Sequence, residues 1–157
     1  MPAPILNGCL IALATVVLME GVAIAVHRYV MHGMGWSLHR SHHRPREGFF
    51  EANDLFGLIF AAFSMAAILG SSWRDPLYWV GIGMAVYGLL YALLHDGLVH
   101  RRIRFLRVPR RGYLLRLVKA HHIHHAVKER DGAVSFGFLY APPVDALAKR
   151  LQQQWKG

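Results

Sequence analysis

The chain has 157 residues, 54% of them hydrophobic, with 18 Lys and Arg against 9 Asp and Glu. That length supports one domain, and the apolar content, with a mean hydropathy of +0.27, fits a membrane protein better than a small soluble one. The formal charge of +9 comes without the aromatic-basic interleaving of a nucleic-acid reader, and a single cysteine, Cys9, excludes a disulfide framework and a thiolate metal site within one chain.

The first apolar run, residues 5–26, is about 33 Å long as a helix, enough to cross a bilayer. It has neither a basic leader nor an evident small-residue cleavage site, so it reads as a retained helix. Glu20 within it has two readings: a pathway group or support for a metal ligand, because intramembrane charge is costly, or a position near the interface just before His27. Residues 27–54 are polar and carry H-x4-H (His27, His32) and H-x2-H-H (His39, His42, His43). Asn53 and Asp54 at their end are expected to cap the next helix.

The second run, residues 55–70, is only about 24 Å as a helix and must span short, kinked or with local thinning of the bilayer. A polar turn with Trp73 at an interfacial position leads to Pro76, suited to a first helical turn. The third run, residues 77–94, ends directly at His95. Residues 95–157 then carry a second H-x4-H (His95, His100), an arginine-rich run over 101–116, and a second H-x2-H-H (His121, His124, His125). The arginine run reads as a solvated or lipid-headgroup face, with reductase docking as the sharper alternative. Trp36, Tyr87 and Tyr91 read as packing or interfacial anchors, with a substrate-pocket lining as the alternative.

Topology follows from charge. Apart from Arg74, every Lys and Arg lies after the first run or after the third, so the positive-inside tendency makes those two segments cytoplasmic. Three crossings then bring all four histidine motifs to one face of the membrane.

On a helix, positions i, i+3 and i+4 share a face, so His39, His42 and His43 are expected to converge on one point, and His121, His124 and His125 likewise. His122 points away, as a supporting or solvent-facing residue. The H-x4-H pairs are less regular, since residues five apart lie about 140° apart on an α-helix. Either the helix unwinds at its membrane exit or the two histidines of a pair serve different metals. Ten motif histidines exceed the needs of one ion and match a dinuclear centre at four or five ligands per metal. Imidazole suits iron, zinc and copper alike, and spacing does not choose among them. Glu47, Glu51 and Asp96 are candidates to orient the ligand imidazoles.

The order H-x4-H, H-x2-H-H, H-x4-H, H-x2-H-H resembles the membrane-bound fatty acid hydroxylase and sterol desaturase superfamily. The strings His27-Arg28-Tyr29-Val30-Met31-His32, Glu51-Ala52-Asn53-Asp54-Leu55-Phe56 and His95-Asp96-Gly97-Leu98-Val99-His100 resemble, more narrowly, the bacterial β-carotene 3-hydroxylases. So do His39-Arg40-Ser41-His42-His43 and His121-His122-Ile123-His124-His125, and the likeness covers about residues 20–143. Carotenoid ketolases are related, but the duplicated H-x4-H and the closely spaced first two motifs resemble the hydroxylases more.

The resemblance implies an all-α integral membrane protein, a single domain over residues 1–157, with about three to four transmembrane helices and a cytoplasmic His-rich cap holding two metals. It implies a location in the inner (cytoplasmic) membrane and a non-haem di-iron monooxygenase acting on carbon 3 of β-ionone rings. β-Carotene would pass through β-cryptoxanthin to zeaxanthin in two turnovers. Carried over by motif, the iron ligands are His27, His32, His39, His42, His43, His95, His100, His121, His124 and His125; His122 matches no motif position. O2 is the co-substrate and electrons come from a partner, a ferredoxin or an NAD(P)H-linked reductase, because the chain has no flavin, nicotinamide or iron–sulfur fingerprint. Two alternatives stand beside this reading. A fatty acid or sterol hydroxylase or desaturase would use the same metal scaffold, whereas a metal transporter would place its ligands near the membrane midplane.

Overall fold

The apolar runs are rich in Ala, Leu, Met and Ile, which lose little side-chain freedom in a helix, and every regular element among the described residues is helical. The computed structural model describes residues 3–45 and 48–156. Helix α1 (Ala3–Ala25) continues into a π-helical stretch, π1 (Val26–Met34), which breaks at Gly33. A short α2 (Trp36–His39) and a 3-10 turn (Arg40–His43) follow. Then come α3 (Asp54–Leu69), α4 (Pro76–Tyr91), a second π-helical stretch π2 (Ala92–Val99), α5 (Tyr113–His125) and α6 (Val144–Lys156). Pro76 occupies the first turn of α4, as expected.

Helix α4 packs against α1 on one side and α3 on the other. Two glycines permit this. A Cβ at Gly83 would lie 2.6 Å from the Ala12 carbonyl oxygen of α1, and one at Gly81 would lie 2.9 Å from the Ser64 carbonyl oxygen of α3. Small residues bring helix backbones close where packing, rather than water exclusion, must hold them together. The Ser64 hydroxyl adds a 2.8 Å hydrogen bond to the Gly81 carbonyl.

Among the described residues, two helical stretches are long and apolar enough to cross a membrane, Pro4–Met34 and Pro76–Val99, while Asp54–Leu69 is shorter. Only 11% and 17% of their apolar windows are buried, so most of their side chains face outward, Leu10, Leu13, Val17, Leu18 and Leu89 among them. A core helix of a soluble protein would bury these residues. Beyond the membrane-length helices, Leu117 and Ala120 of α5 and Leu147 and Leu151 of α6 pack with Val127, Val134 and Ala141 into a small core. Leu94 of π2 packs on that core, which braces α5 against the end of the second long helix.

Candidate metal centre

His27, His32 and His95 lie in π-helical backbone, and His100 caps the end of π2. The Gly35 N–H donates to the Val30 carbonyl (2.7 Å) and the His100 N–H to the His95 carbonyl (2.9 Å), each spanning five residues. This widened turn brings residues five apart onto one side. Of the two expectations for these pairs, the unwound helix holds, and each pair turns both rings toward one cluster.

The H-x2-H-H motifs do not converge as expected. His27, His32, His39, His43 and His124 form one cluster with ligand atoms within 4.8 Å of one another, and His42, His100, His121 and His125 form a second. His95 joins the second, its Nε2 3.2 Å from that of His42 and its ring centroid 4.6 Å from those of His100 and His121. The middle histidine of each triplet therefore serves the opposite cluster. On α5 helical geometry gives the reason: at about 100° per residue, positions i and i+4 differ by about 40°, while i+3 lies about 100° from i+4; the first triplet passes through the 3-10 turn and divides in the same way. His39 with His43, and His121 with His125, keep together; His42 and His124 turn away. The clusters abut, with His43 stacked on His125 at 4.4 Å. His122 is exposed.

Hydrogen bonding fixes the imidazole tautomers. The Nδ1–H of His27 donates to the Phe136 carbonyl (3.0 Å), that of His32 to Arg130 (2.7 Å) and that of His43 to Val127 (2.8 Å). His39 donates to the Asn53 amide oxygen (2.7 Å), while His42 and His95 donate to Glu51 (2.9 Å) and Asp96 (2.7 Å). A neutral imidazole has one N–H, so each of these rings points a bare Nε2 lone pair inward. The Nε2 atoms of His27 and His43 both lie 3.2 Å from that of His39. Lone pairs at that distance repel unless a cation lies among them, and the donor set therefore fits a metal ion. Burial, and after it the neighbouring imidazoles, push His42, His121, His124 and His125 well below the usual histidine range. Burial also pushes His39 down to about 3 and His43 to about 4. Neutral rings are what a metal requires.

Several supporting residues differ from expectation. Asn53 and Asp54 make no side-chain cap on α3; Asn53 orients His39, and Asp54 accepts from the Glu51 N–H (3.0 Å) and from Arg102 (2.8 Å). Arg102, expected on a solvated arginine face, is instead a half-buried clamp on Asp54, Glu51 and Asp96, while Arg101, Arg104, Arg107, Arg110 and Arg111 are exposed. Glu20 supports the loop that stands behind His27. Its carboxylate accepts the backbone N–H groups of Phe138, Leu139 and Tyr140 and the Tyr87 hydroxyl. No local signal identified this loop as its partner, because the two are more than a hundred residues apart. Glu47 lies outside the described residues.

A cavity of about 550 Å³ opens between α1, α3 and α4. Its walls are apolar, with Met19, Phe60, Met65 and Met84, and its polar end holds Asp54, Asp96 and Arg102. Tyr87 and Tyr91 line it, and both also pack with Met19, Ala23 and Phe138, as the packing reading expects. Tyr91 stacks on His95 at 4.4 Å, which brings the cavity to the second cluster. Trp36 packs on the His32 and His43 rings instead.

The family model described as Fatty acid hydroxylase matches residues 12–149. A protein named beta-carotene hydroxylase from Pantoea ananas is 54% identical over 94% of this chain and 85% of its own length. One of the same name from Pseudescherichia vulneris is 56% identical over 91% of this chain and 82% of its own. A chloroplastic beta-carotene 3-hydroxylase from Haematococcus lacustris is 37% identical over 79% of this chain and 40% of its own. No solved structure matches the chain.

Proposed function

The chain belongs to the fatty acid hydroxylase family, and we propose that it is a carotenoid hydroxylase that places a hydroxyl on carbon 3 of β-ionone rings. β-Carotene becomes β-cryptoxanthin and then zeaxanthin. The observation that carries this reading is an apolar cavity ending at one of two adjoining clusters of inward-facing imidazole lone pairs. The likeness to named beta-carotene hydroxylases supports the substrate.

The ten motif histidines hold two iron ions, five in each cluster. When bound, the pair supplies the oxygen chemistry, using O2 and electrons from a ferredoxin or an NAD(P)H-linked reductase. The chain's own residues do the rest. Met19, Phe60, Met65 and Met84 receive the polyene and gain its desolvation energy. Tyr91 and Phe138, packed edge to face at 4.8 Å and both against His95, position the ring beside the second cluster. The apolar walls exclude water, which protects the reacting centre from side reactions. The carbonyls and carboxylates behind the rings hold the Nδ1 protons and keep each Nε2 turned inward.

Residues 1–157 form one membrane-bound domain in the inner membrane, with the histidine clusters on its cytoplasmic face. The outward-facing side chains of the two long apolar stretches support a membrane setting, and the charge distribution of the loops supports the orientation. Helix α3 completes three crossings if the bilayer thins around its 16 residues.

Expression in a β-carotene-accumulating host, with pigments separated and identified, tests the proposal. Mono- and dihydroxylated products are expected. Unaltered pigment with newly hydroxylated or desaturated lipid would overturn it in favour of a lipid-modifying enzyme.

A further inference from the structure

Phe138 stands where the cavity meets both clusters. Its side chain is buried and forms part of the cavity wall. It stacks on His27 of the first cluster, with 5.0 Å between centroids, and lies nearly perpendicular to His95 of the second cluster and to Tyr91, at 4.9 and 4.8 Å. The backbone beneath it is fixed from two sides. Glu20 accepts the N–H groups of Phe138, Leu139 and Tyr140. The Tyr113 hydroxyl donates to the Leu139 carbonyl (2.6 Å) and accepts from the Ala141 N–H (3.1 Å). A ring packed on imidazoles and carried on a backbone held in this way is a rigid stop at the end of the cavity.

We infer that Phe138 is the residue that selects carbon 3 over its ring neighbours, by fixing the depth and tilt at which the β-ionone ring seats. The inference rests on the hydroxylase reading above and adds the origin of its regiochemistry. Carbon 3 lies opposite the carbon that bears the polyene, so a ring entering with its polyene trailing leads with carbon 3. Carbon 4 is only about 1.5 Å away, and it is allylic, so its C–H bond is weaker. Bond strength alone favours carbon 4, and the wall of the site must overrule it. A slip of one bond length changes the product, since reaction requires the C–H bond to meet the centre at close range. Phe138 blocks that slip by filling the space into which the ring would roll. It also covers His27, which leaves the cavity to approach the second cluster beside Tyr91 and His95. The balance of the reaction is the same at either carbon: one atom of O2 enters the C–H bond, and the other leaves as water with two electrons from the external donor and two protons.

The test expresses the full chain and its Phe138→Ala and Phe138→Leu variants in a β-carotene-accumulating host and identifies the monohydroxylated pigments. The unaltered chain should give the 3-hydroxylated product alone. Phe138→Ala should add the 4-hydroxylated isomer at about a tenth of the total or more. Phe138→Leu keeps most of the bulk, guards against a folding failure, and should add less of it. Met65→Ala enlarges the cavity about 16 Å along α3 from Asp54 and should lower the yield without a new isomer. Binding of β-carotene to the metal-stripped chain in detergent, read from the shift of its visible band, should weaken less than about tenfold in Phe138→Ala, because the contacts to the polyene remain. A larger loss of binding would make Phe138 a packing residue and overturn the assignment. So would 3-hydroxylated pigment alone from every Phe138 variant that retains its metal, or the new isomer appearing equally in Met65→Ala. No hydroxylated pigment from the unaltered chain would instead refute the hydroxylase reading beneath it.

Discussion

The rings of His27 and Phe138 lie nearly parallel, centroids 5.0 Å apart and planes 8° apart, although one belongs to π1 and the other to the loop before α6. Glu20 holds them so. One turn or two below His27 on the same helical column, its carboxylate collects three consecutive backbone N–H groups of that loop. A carboxylate with several such donors makes strong, charge-assisted hydrogen bonds.

Glu20→Ala should therefore release the loop, leave three N–H groups without their acceptor and cost about 2–4 kcal/mol. Metal content should fall with thermal stability, because the Phe136 carbonyl behind His27 belongs to the same loop. Glu20→Gln should lose less. Full metal content in the alanine variant, measured by atomic absorption, would contradict this role.

His42→Ala and His124→Ala should each abolish hydroxylation, and each should disturb the cluster opposite to its neighbours'. Metal per chain should fall from two toward one in either variant, with membrane insertion intact. Normal zeaxanthin formation by either would exclude that residue as a ligand.

Gly88 and Gly83 both lie on α4, yet their substitution should fail in different ways. A Cβ at Gly88 meets nothing within 4 Å and faces the cavity. Gly88→Leu should then lower carotenoid turnover by about tenfold while stability and metal content stay near normal, since a misplaced substrate is costly. Gly83→Leu drives a side chain into Thr15 and Ala12 and should destabilise the fold by about 1–3 kcal/mol or more. Parallel thermal melts and pigment yields separate the two outcomes.

Acid should destabilise the metal-free chain. His39 and His43 are held at about 3 and about 4 by burial, against 6.5 when unfolded. The unfolded chain thus takes up protons below pH 6.5 that the folded chain refuses until near pH 4 and below. Stability is fully present above 6.5 and falls across that window. Melting temperatures of the stripped chain from pH 7.5 to 4.5 should decline with falling pH; a flat profile would refute the burial of neutral imidazoles.

Motif spacing marked the ten histidines and set His122 apart, because imidazoles at helical intervals are a local pattern that needs no partner to be recognised. Glu51 and Asp96 were legible as supports because each lies close in sequence to the motif it serves. Asn53 was misread. Its position before α3 suits a cap, and local preference says nothing of a histidine fourteen residues earlier that claims the same oxygen. Arg102 was hidden in the same way among exposed arginines.

The amino-acid sequence by itself determined the helical class, the apolar runs and the imidazoles gathered in motifs, all of which follow from periodicity and side-chain chemistry within a few residues. Tertiary structure alone decided how those imidazoles divide. The shift to π-helical backbone at His27–His32 and before His100, and the crossing of His42 and His124 to the opposite clusters, depend on where separate helices stand relative to one another. Spacing sets the direction of each ring around its own axis; only packing determines which neighbour it meets.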